Sequence, residues 1–383
     1  MAQNVQSSFI FDLRQNLESS RDYIQVVLGP RQVGKTTGIL GYLRKTPQPH
    51  LYFTADDVLA PTESWIEEKW QEAVIKNPNC LLVIDEIQKV PTWSSTVKKL
   101  WDRQKRSKST RIQLVLLGSS SLEIHQGLNE SLTGRFQMIR AHHWDFERSR
   151  KLVGMDVEQF IRCGGYPGSY GLLTKPQKWE SYIQDSIVET VIGKDILQIA
   201  RIAKPALFRQ AFRILMSYPA QDISYTKLLG QLQDKGNTDL IKHYIGLYEA
   251  AFLLQSIPKY SGSLVASRTS SPKLIPLCGA LIHRDVITTK EGYGRAVEAA
   301  VGAILIQSGL QVEYWRDGNS EVDFVTQFGG ILYAIEVKSG RQRSTKGPLD
   351  FAKRYPAAHV VFVSEATLEN FLIHPKKYLA AFK

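Results

Sequence analysis

The chain has 383 residues, 43% of them hydrophobic, and carries 48 lysines and arginines against 37 acids, a formal charge of +11. That length exceeds one small core and supplies two or three domains, and the basic surplus suits a polyanion partner as readily as it describes a merely basic surface. Three widely spaced cysteines, Cys80, Cys163 and Cys278, exclude a cysteine-based metal site or disulfide framework and point to a reducing compartment.

The N-terminal "MAQNVQSSFIFDLRQ" lacks the basic start and apolar core of a secretion signal. No apolar run approaches the roughly 20 residues of a membrane helix. A cytoplasmic protein with no membrane partner is therefore expected.

The first informative stretch is "YIQVVLGPRQVGKTT", Tyr23 to Thr37. A β-branched apolar run predicts a buried parallel strand, and "TGILGYLRK" after it has helical apolar spacing. Between them lie Gly29, four residues, then Gly34, Lys35 and Thr36. This is the strand–loop–helix setting of a phosphate-binding loop. Glycines let successive N–H groups turn inward around phosphates, and the helix N-terminus adds partial positive charge. Lys35 is placed for the β- and γ-phosphates and the Thr36 hydroxyl for Mg²⁺. The nucleotide set so read is Gly29, Gly34, Lys35, Thr36, Thr37 and Asp85, with ATP and Mg²⁺ as cofactors.

Asp85 comes from "CLLVIDEIQKVP", Cys80 to Pro91. An apolar strand ending in Asp85 and Glu86 presents acids at the C-terminal edge of a sheet. Asp85 is read as the second Mg²⁺ ligand, through water, and Glu86 as the base that polarises the attacking water. "IQLVLLGSSS", Ile112 to Ser121, predicts a third strand. At its end Ser119, with Ser120 as the alternate, senses the γ-phosphate or orients water, or else caps a helix. In "LNESLTGRFQMIR", Arg135 follows a glycine and precedes another apolar strand. It is read as a finger toward a neighbouring subunit's γ-phosphate, or as a structural partner of a local acid.

The motifs "GPRQVGKTT", "LLVIDEIQKVP", "LLGSSSLEI" and "ESLTGRF" together resemble the AAA-type ATPases of bacteria and archaea that carry a long C-terminal region. The resemblance implies an α/β fold: a P-loop AAA+ parallel-sheet core over 1–148 and a helical lid over 149–203. It also implies a homo-oligomer, six subunits being the family's number, with Arg135 as the finger and Arg31 as a phosphate or subunit contact. "GGYPGSY", Gly164 to Tyr170, and "VIGKDILQI", Val191 to Ile199, look like further landmarks of that family, with no chemistry assigned.

Past the lid, "LFRQAFRILMSYP" predicts a helix stopped by Pro219. Then Thr226–Leu232, a turn at Gly236-Asn237, a helix capped by Asn237 or Thr238 and running to about Glu249, and "AFLLQSI" outline a winged helix over 204–280. Lys242, His243 and Tyr244 lie on or near its second helix, a candidate for DNA contact. "YSGSLVASRTSSPK", Tyr260 to Lys273, reads as a serine-rich wing loop or linker.

The last region, 281–383, holds a second constellation. "YGRAVEAAVGAILIQSG" predicts a helix bearing Glu298. "VEYWRDGNSEVDFVTQ" predicts a hairpin turning at Asp317-Gly318-Asn319, with Asp323 on its second strand, and "ILYAIEVKSG" a strand with Glu336 and Lys338. Residues two apart share a strand face, so Glu336 and Lys338 go together. Asp323 and Glu336 on adjacent strands can meet around Mg²⁺ or Mn²⁺, with Glu298 adding a ligand and Lys338 activating water. This order resembles the PD-(D/E)XK family of restriction-type and junction-resolving nucleases. It implies a restriction-endonuclease-like α/β domain and metal-assisted phosphodiester cleavage. Two basic runs complete the inventory. One is Lys98 to Arg111, and the other contains Arg341, Arg343, Lys346, Lys353 and Arg354. Either can track a phosphate backbone or form a solvated face. The expectation is an ATP-driven helicase or branch-migration motor acting on DNA, branched DNA included, with metal-dependent cutting as an added activity. The alternative is an ATP-switched scaffold whose C-terminal domains bind protein.

Overall fold

The computed structural model describes residues 7–107, 110–119, 131–197, 202–232, 237–261, 271–338 and 346–382. The chain forms two compact units. One comprises Asn4–His143 with Glu189–Arg201, the other Met1–Gln3, Trp144–Val188 and Ile202–Lys383.

In the first unit, strands β1 (Ile24–Gly29), β2 (His50–Thr54), β3 (Leu81–Asp85), β4 (Gln113–Ser119) and β5 (Phe136–Arg140) form one parallel sheet, ordered β2-β3-β4-β1-β5. Parallel neighbours need crossover connections, and helices Lys35–Leu43, Glu63–Lys76 and Trp93–Ser107 supply them. Strands β1, β3 and β4 are buried from end to end, which is why their sequences are apolar without alternation. Each valine, leucine or isoleucine so buried contributes about 1.5–3 kcal/mol. The order sets the C-terminal ends of β1, β4 and β3 side by side, so the phosphate loop, Ser119 and Asp85 share one edge.

In the second unit, β6 (Gln221–Asp222), β7 (Leu254–Ile257) and β8 (Lys273–Pro276) form an antiparallel sheet ordered β6-β8-β7. Helices Pro205–Met216, Tyr225–Gln231 and Thr238–Ala250 accompany it. Ser224 and Asn237 cap the last two, their side chains accepting the Lys227 and Leu240 N–H groups. Phe208 packs edge-on to Tyr244, ring centroids 4.9 Å apart, and closer still to Tyr248, at 4.5 Å. Tyr244 is therefore core, while Lys242 and His243 face solvent.

Strands β9 (Val312–Asp317), β10 (Ser320–Phe328), β11 (Ile331–Lys338) and β12 (His359–Ser364) form a four-stranded mixed sheet ordered β12-β11-β10-β9. The tight turn between β9 and β10 falls where the Asp-Gly-Asn signal put it, with Gly318 at φ +56°. Helix Lys290–Gln307 covers the sheet. A Cβ at Gly302 would lie 2.8 Å from the Phe324 ring and 3.2 Å from Ile275, so only glycine lets the helix descend this far. That approach brings Glu298, one turn earlier on the same face, down to β8 and β10.

The stretch read as a lid, 149–203, divides between the units. Helices Phe146–Val153, Val157–Cys163 and Pro176–Ser181 belong to the second, and the wide helical turn Val191–Ile196 to the first. "GGYPGSY" is a packing junction, in which the Tyr170 and Ser149 hydroxyls lie 2.6 Å apart and Trp179 Nε1 donates to Ser169 Oγ at 3.2 Å.

Candidate functional site

The phosphate loop is shaped by two glycines used differently. Gly29 lies so close to Ala141 that a Cβ would fall 1.9 Å from its carbonyl oxygen, so any side chain would part β1 from the chain after β5. Gly34 has φ +82°, the left-handed conformation that ends the loop and starts helix Lys35–Leu43. Gln32 adopts φ +61°, an unusual value for a side-chain-bearing residue.

Lys35 is 7% exposed. Its Nζ donates to the Gly29 and Pro30 carbonyls at 3.0 and 2.8 Å. Burial pushes the ammonium down to about 8, with Arg31 pushing the same way and Glu86 and Asp85 opposing. Thr36 Oγ1 donates to Asp85 Oδ2 at 2.7 Å, and Tyr52 OH donates to the same oxygen at 2.9 Å. Asp85 Oδ1 accepts the Glu86 N–H at 2.9 Å. A hydroxyl and a buried carboxylate converging at the foot of a phosphate loop is an all-oxygen donor set that fits Mg²⁺. Thr37 is exposed, one residue farther into the helix.

Glu86 is held in the left-handed region, φ +52°. Burial raises its carboxyl above the ordinary range, Asp85 adds to this, and Lys35, Gln88 and Arg31 oppose. Gln88 Nε2 donates both to Glu86 Oε2 and, at 3.1 Å, to Ser119 Oγ. Ser119 thus joins Glu86 through one amide, a link the sequence did not suggest. Ser120 lies outside the described residues.

Two further residues came only from the structure. Tyr52, on β2, holds Asp85. Asp195, from the unassigned "VIGKDILQI" landmark, is 6% exposed and grips Arg31, whose Nε and Nη2 donate to its two oxygens at 2.5 and 2.6 Å. The bidentate pair ties the loop to a segment 164 positions later. The one available signal was an acid standing among apolar residues.

Arg135 sits elsewhere. Its carbonyl accepts from Ile24, the first residue of β1, at the edge of the sheet opposite the loop. A strand of this length puts about 15–20 Å between the edges, so Arg135 does not serve its own chain's phosphate site. Its guanidinium is bidentate on Asp102, at 2.8 and 3.1 Å. From the first basic run, Arg103, Lys105 and Arg106 are exposed near this edge.

In the second unit the predicted acids gather, but around a residue counted into the serine-rich linker. Lys273 opens β8 and is 1% exposed. Its Nζ lies 2.5 Å from Glu298 Oε1, 3.3 Å from Glu321 Oε1 and 3.7 Å from Asp323 Oδ1. Burial alone would lower this ammonium, but the three carboxylates overrule it and hold it above lysine's ordinary range. Asp323 sits where the β9–β10 register shifts, which re-aims its side chain, and its Oδ2 accepts the Val337 N–H at 2.8 Å. Glu336 keeps company with Lys338, whose Nζ donates to Oε1 at 3.2 Å, and burial followed by Asp323 pushes its carboxyl up to about 7. Glu298, Asp323 and Glu336 border a cavity of about 450 Å³. Among the described residues no three acid, histidine or cysteine side chains are arranged to hold a metal ion. Lys273 takes Glu298, while Asp323 and Glu336, the pair expected around the ion, both border the cavity, and Glu336 Oε2 is buried with no hydrogen-bond partner among the described residues.

The second basic run is partly neutralised. Arg354 pairs with Asp317 at 2.6 Å and Lys353 with Asp350 at 3.8 Å, while Arg341 and Arg343 lie outside the described residues. No helix is long and apolar enough to cross a membrane among the described residues.

Comparison with known families finds an AAA domain at residues 21–149, a domain of unknown function (DUF8612) at 155–277 and another (DUF4143) at 293–377. No curated protein matches the chain. Among solved structures, the Thermotoga maritima RuvB Holliday junction branch migration motor is 16% identical, with 65% of this chain and 89% of that chain covered and a TM-score of 0.33. The Aeropyrum pernix Orc1 protein in complex with DNA is 11% identical, with 73% and 93% covered and a TM-score of 0.31. Cdc6p from Pyrobaculum aerophilum is 13% identical, with 65% and 85% covered and a TM-score of 0.31. Values this low say nothing about what this chain acts on. The chain thus carries an AAA domain, built on a five-stranded parallel sheet, followed by two domains of unknown function.

Proposed function

We propose that the chain is an ATP-driven DNA-processing motor of the helicase or branch-migration kind, working as a homo-oligomer. The observation that carries this is the gathering of Lys35, Thr36, Asp85, Glu86 and Ser119 at one sheet edge. ATP lies along the loop from Gly29 to Thr37. Thr36 and Asp85 hold Mg²⁺, which when bound offsets phosphate charge. Glu86, kept less acidic by burial, accepts the proton of the attacking water, and Gln88 conveys the state of Ser119 to it. Arg135, remote from its own chain's loop, serves the site of the adjacent copy, exchanging Asp102 for phosphate.

Several features support DNA as the substrate. The chain carries a surplus of 11 positive charges. Exposed bases flank Arg135. The second unit's order of helix, strand, two helices and a strand pair supports the winged-helix reading, with Lys242 and His243 outward. The helix–hairpin–strand order from Lys290 to Lys338 supports the nuclease-like fold. We assign that fold to gripping DNA, because Lys273 stands among its acids.

A second reading, an ATP-switched scaffold, draws support from the ion pairs that spend Lys242 on Asp239 and Arg354 on Asp317. ATP turnover measured with single-stranded, duplex, forked and four-way DNA separates the two. A motor is expected to speed up severalfold or more on at least one DNA, most on the branched forms. Turnover indifferent to all four would leave the scaffold.

A further inference from the structure

We propose that a cleft in the second unit docks an acidic segment of a partner protein through one aliphatic side chain. The inference rests on neither the ATP site nor the DNA reading.

The cleft is lined by residues of helix Pro176–Ser181, the wide helix Tyr182–Val188, helix Pro205–Met216 and the stretch Ala280–Ile287. Its volume is about 110 Å³. Pockets that take whole small molecules run to about 300–1,000 Å³, whereas a dry cavity of about 150 Å³ accommodates benzene. The space therefore suits one branched side chain. The lining agrees with that size, since Ile183, Met216 and Ile287 in it are all buried. The walls are also set in advance. The Trp179 indole is tied to Ser169 Oγ at 3.2 Å, and the His283 N–H donates to the Met216 carbonyl at 3.1 Å. A Cβ at Gly279 would fall 1.9 Å from the Ile161 carbonyl oxygen, so the turn Gly279–Leu281 packs tightly on helix Val157–Cys163. A preformed pocket spares a ligand the cost of ordering it.

Charge selects the partner. The apolar lining is buried, while the basic lining, Arg162, Arg213, His283 and Arg284, is exposed or half-buried, so positive charge stands toward the mouth. Arg162 is spent on Glu158 at 3.0 Å, and His283 lies 3.7 Å from Asp285. Arg213 and Arg284 form no ion pair among the described residues, and the Arg284 guanidinium instead stands 5.9 Å from the centre of the Trp179 ring. Glu180, exposed and also outside any ion pair among the described residues, is the one acid of the lining. The surplus calls for carboxylates, which guanidinium groups bind through two parallel hydrogen bonds. A nucleic-acid backbone would bring anions but no apolar group for the floor. A polypeptide with Asp or Glu beside Leu or Ile brings both, an apolar anchor for the pocket and charge for its rim.

The test is fluorescence anisotropy of labelled peptides Asp-Asp-X-Asp-Asp, with X leucine, isoleucine, alanine or tryptophan, and of a labelled DNA duplex. Each is titrated with the full chain and with Arg213→Gln/Arg284→Gln, whose two changes break no ion pair and leave the fold intact. The leucine and isoleucine peptides are expected to bind about tenfold or more tighter than the alanine peptide, which leaves the pocket unfilled, and the tryptophan peptide, which is too large for it. The double variant is expected to weaken both by about tenfold. Affinity indifferent to X, or equal in the variant, overturns the proposal, and so does a failure of all four peptides to bind up to millimolar concentration. If the variant loses affinity for the duplex while the peptides are unaffected, the two arginines serve phosphate and the proposal falls.

Discussion

Lys35 and Lys273 are both nearly buried, at 7% and 1% exposure, yet their surroundings are opposite. Lys35 is held by two carbonyl dipoles, those of Gly29 and Pro30, in the phosphate loop. Its ammonium is pushed down because burial outweighs acids that do not touch it. Lys273 is pushed up because three carboxylates reach it directly or nearly so. One cation has charge to offer a ligand. The other has spent its charge inside the fold. Burial of a lysine therefore does not mark a site, and the balance between desolvation and local partners decides its use.

The largest effect expected concerns a third cation, Arg135, which is paired as Lys273 is but near the surface. If it serves a neighbouring copy, Arg135→Ala lowers ATP turnover by about a thousandfold or more and leaves nucleotide affinity intact. Asp102→Ala, which removes only the local partner, leaves turnover within a few-fold. Equal small losses in both variants would reduce the pair to a structural one.

The two lysines should also fail differently. Lys35→Met is expected to cost about a hundredfold in ATP affinity, the worth of one or two charge-assisted hydrogen bonds, with little change in thermal stability. Lys273→Gln should destabilise the fold by about 3–5 kcal/mol, because it strands buried carboxylates. It should leave nucleotide affinity of the folded fraction unchanged. Calorimetric titration with a non-hydrolysable ATP analogue and chemical denaturation read both. A Lys273→Gln chain as stable as wild type would break the comparison.

The smallest effect lies at Arg31. Asp195→Asn removes one negative charge beside the phosphate loop and should tighten nucleotide binding by roughly three- to tenfold. Hydrogen exchange over residues 191–196 should quicken in the same variant. Unchanged exchange would mean that Asp195 does not anchor its segment.

Much of the candidate nucleotide site was legible because local sequence builds it. A strand, a glycine turn and a helix start are contiguous, and the strand ending in Asp85 and Glu86 announces itself by its apolar run. The role of "VIGKDILQI" was not legible, because Asp195 meets Arg31 only after the chain returns across 164 positions. Lys273 was hidden by its neighbours. It closes the serine-rich stretch Tyr260 to Lys273, and composition assigned the whole stretch to a linker. The hairpin and the positions of Glu298, Asp323, Glu336 and Lys338 followed from period and turn chemistry, but the identity of the cation among them did not.

Periodicity and glycine spacing act over a few residues, so the amino-acid order alone determined the strands, the phosphate loop and the clustering of acids on adjacent strands. Which charges face one another depends on how sheets and helices pack after those elements form. Packing alone decided that Arg31 is clasped by Asp195, that Arg135 lies at the far edge from its own loop, and that a buried lysine takes Glu298 and approaches Asp323. Electrostatic partnership is settled by distance in space and by exclusion of water, and neither is encoded in any short window of the chain.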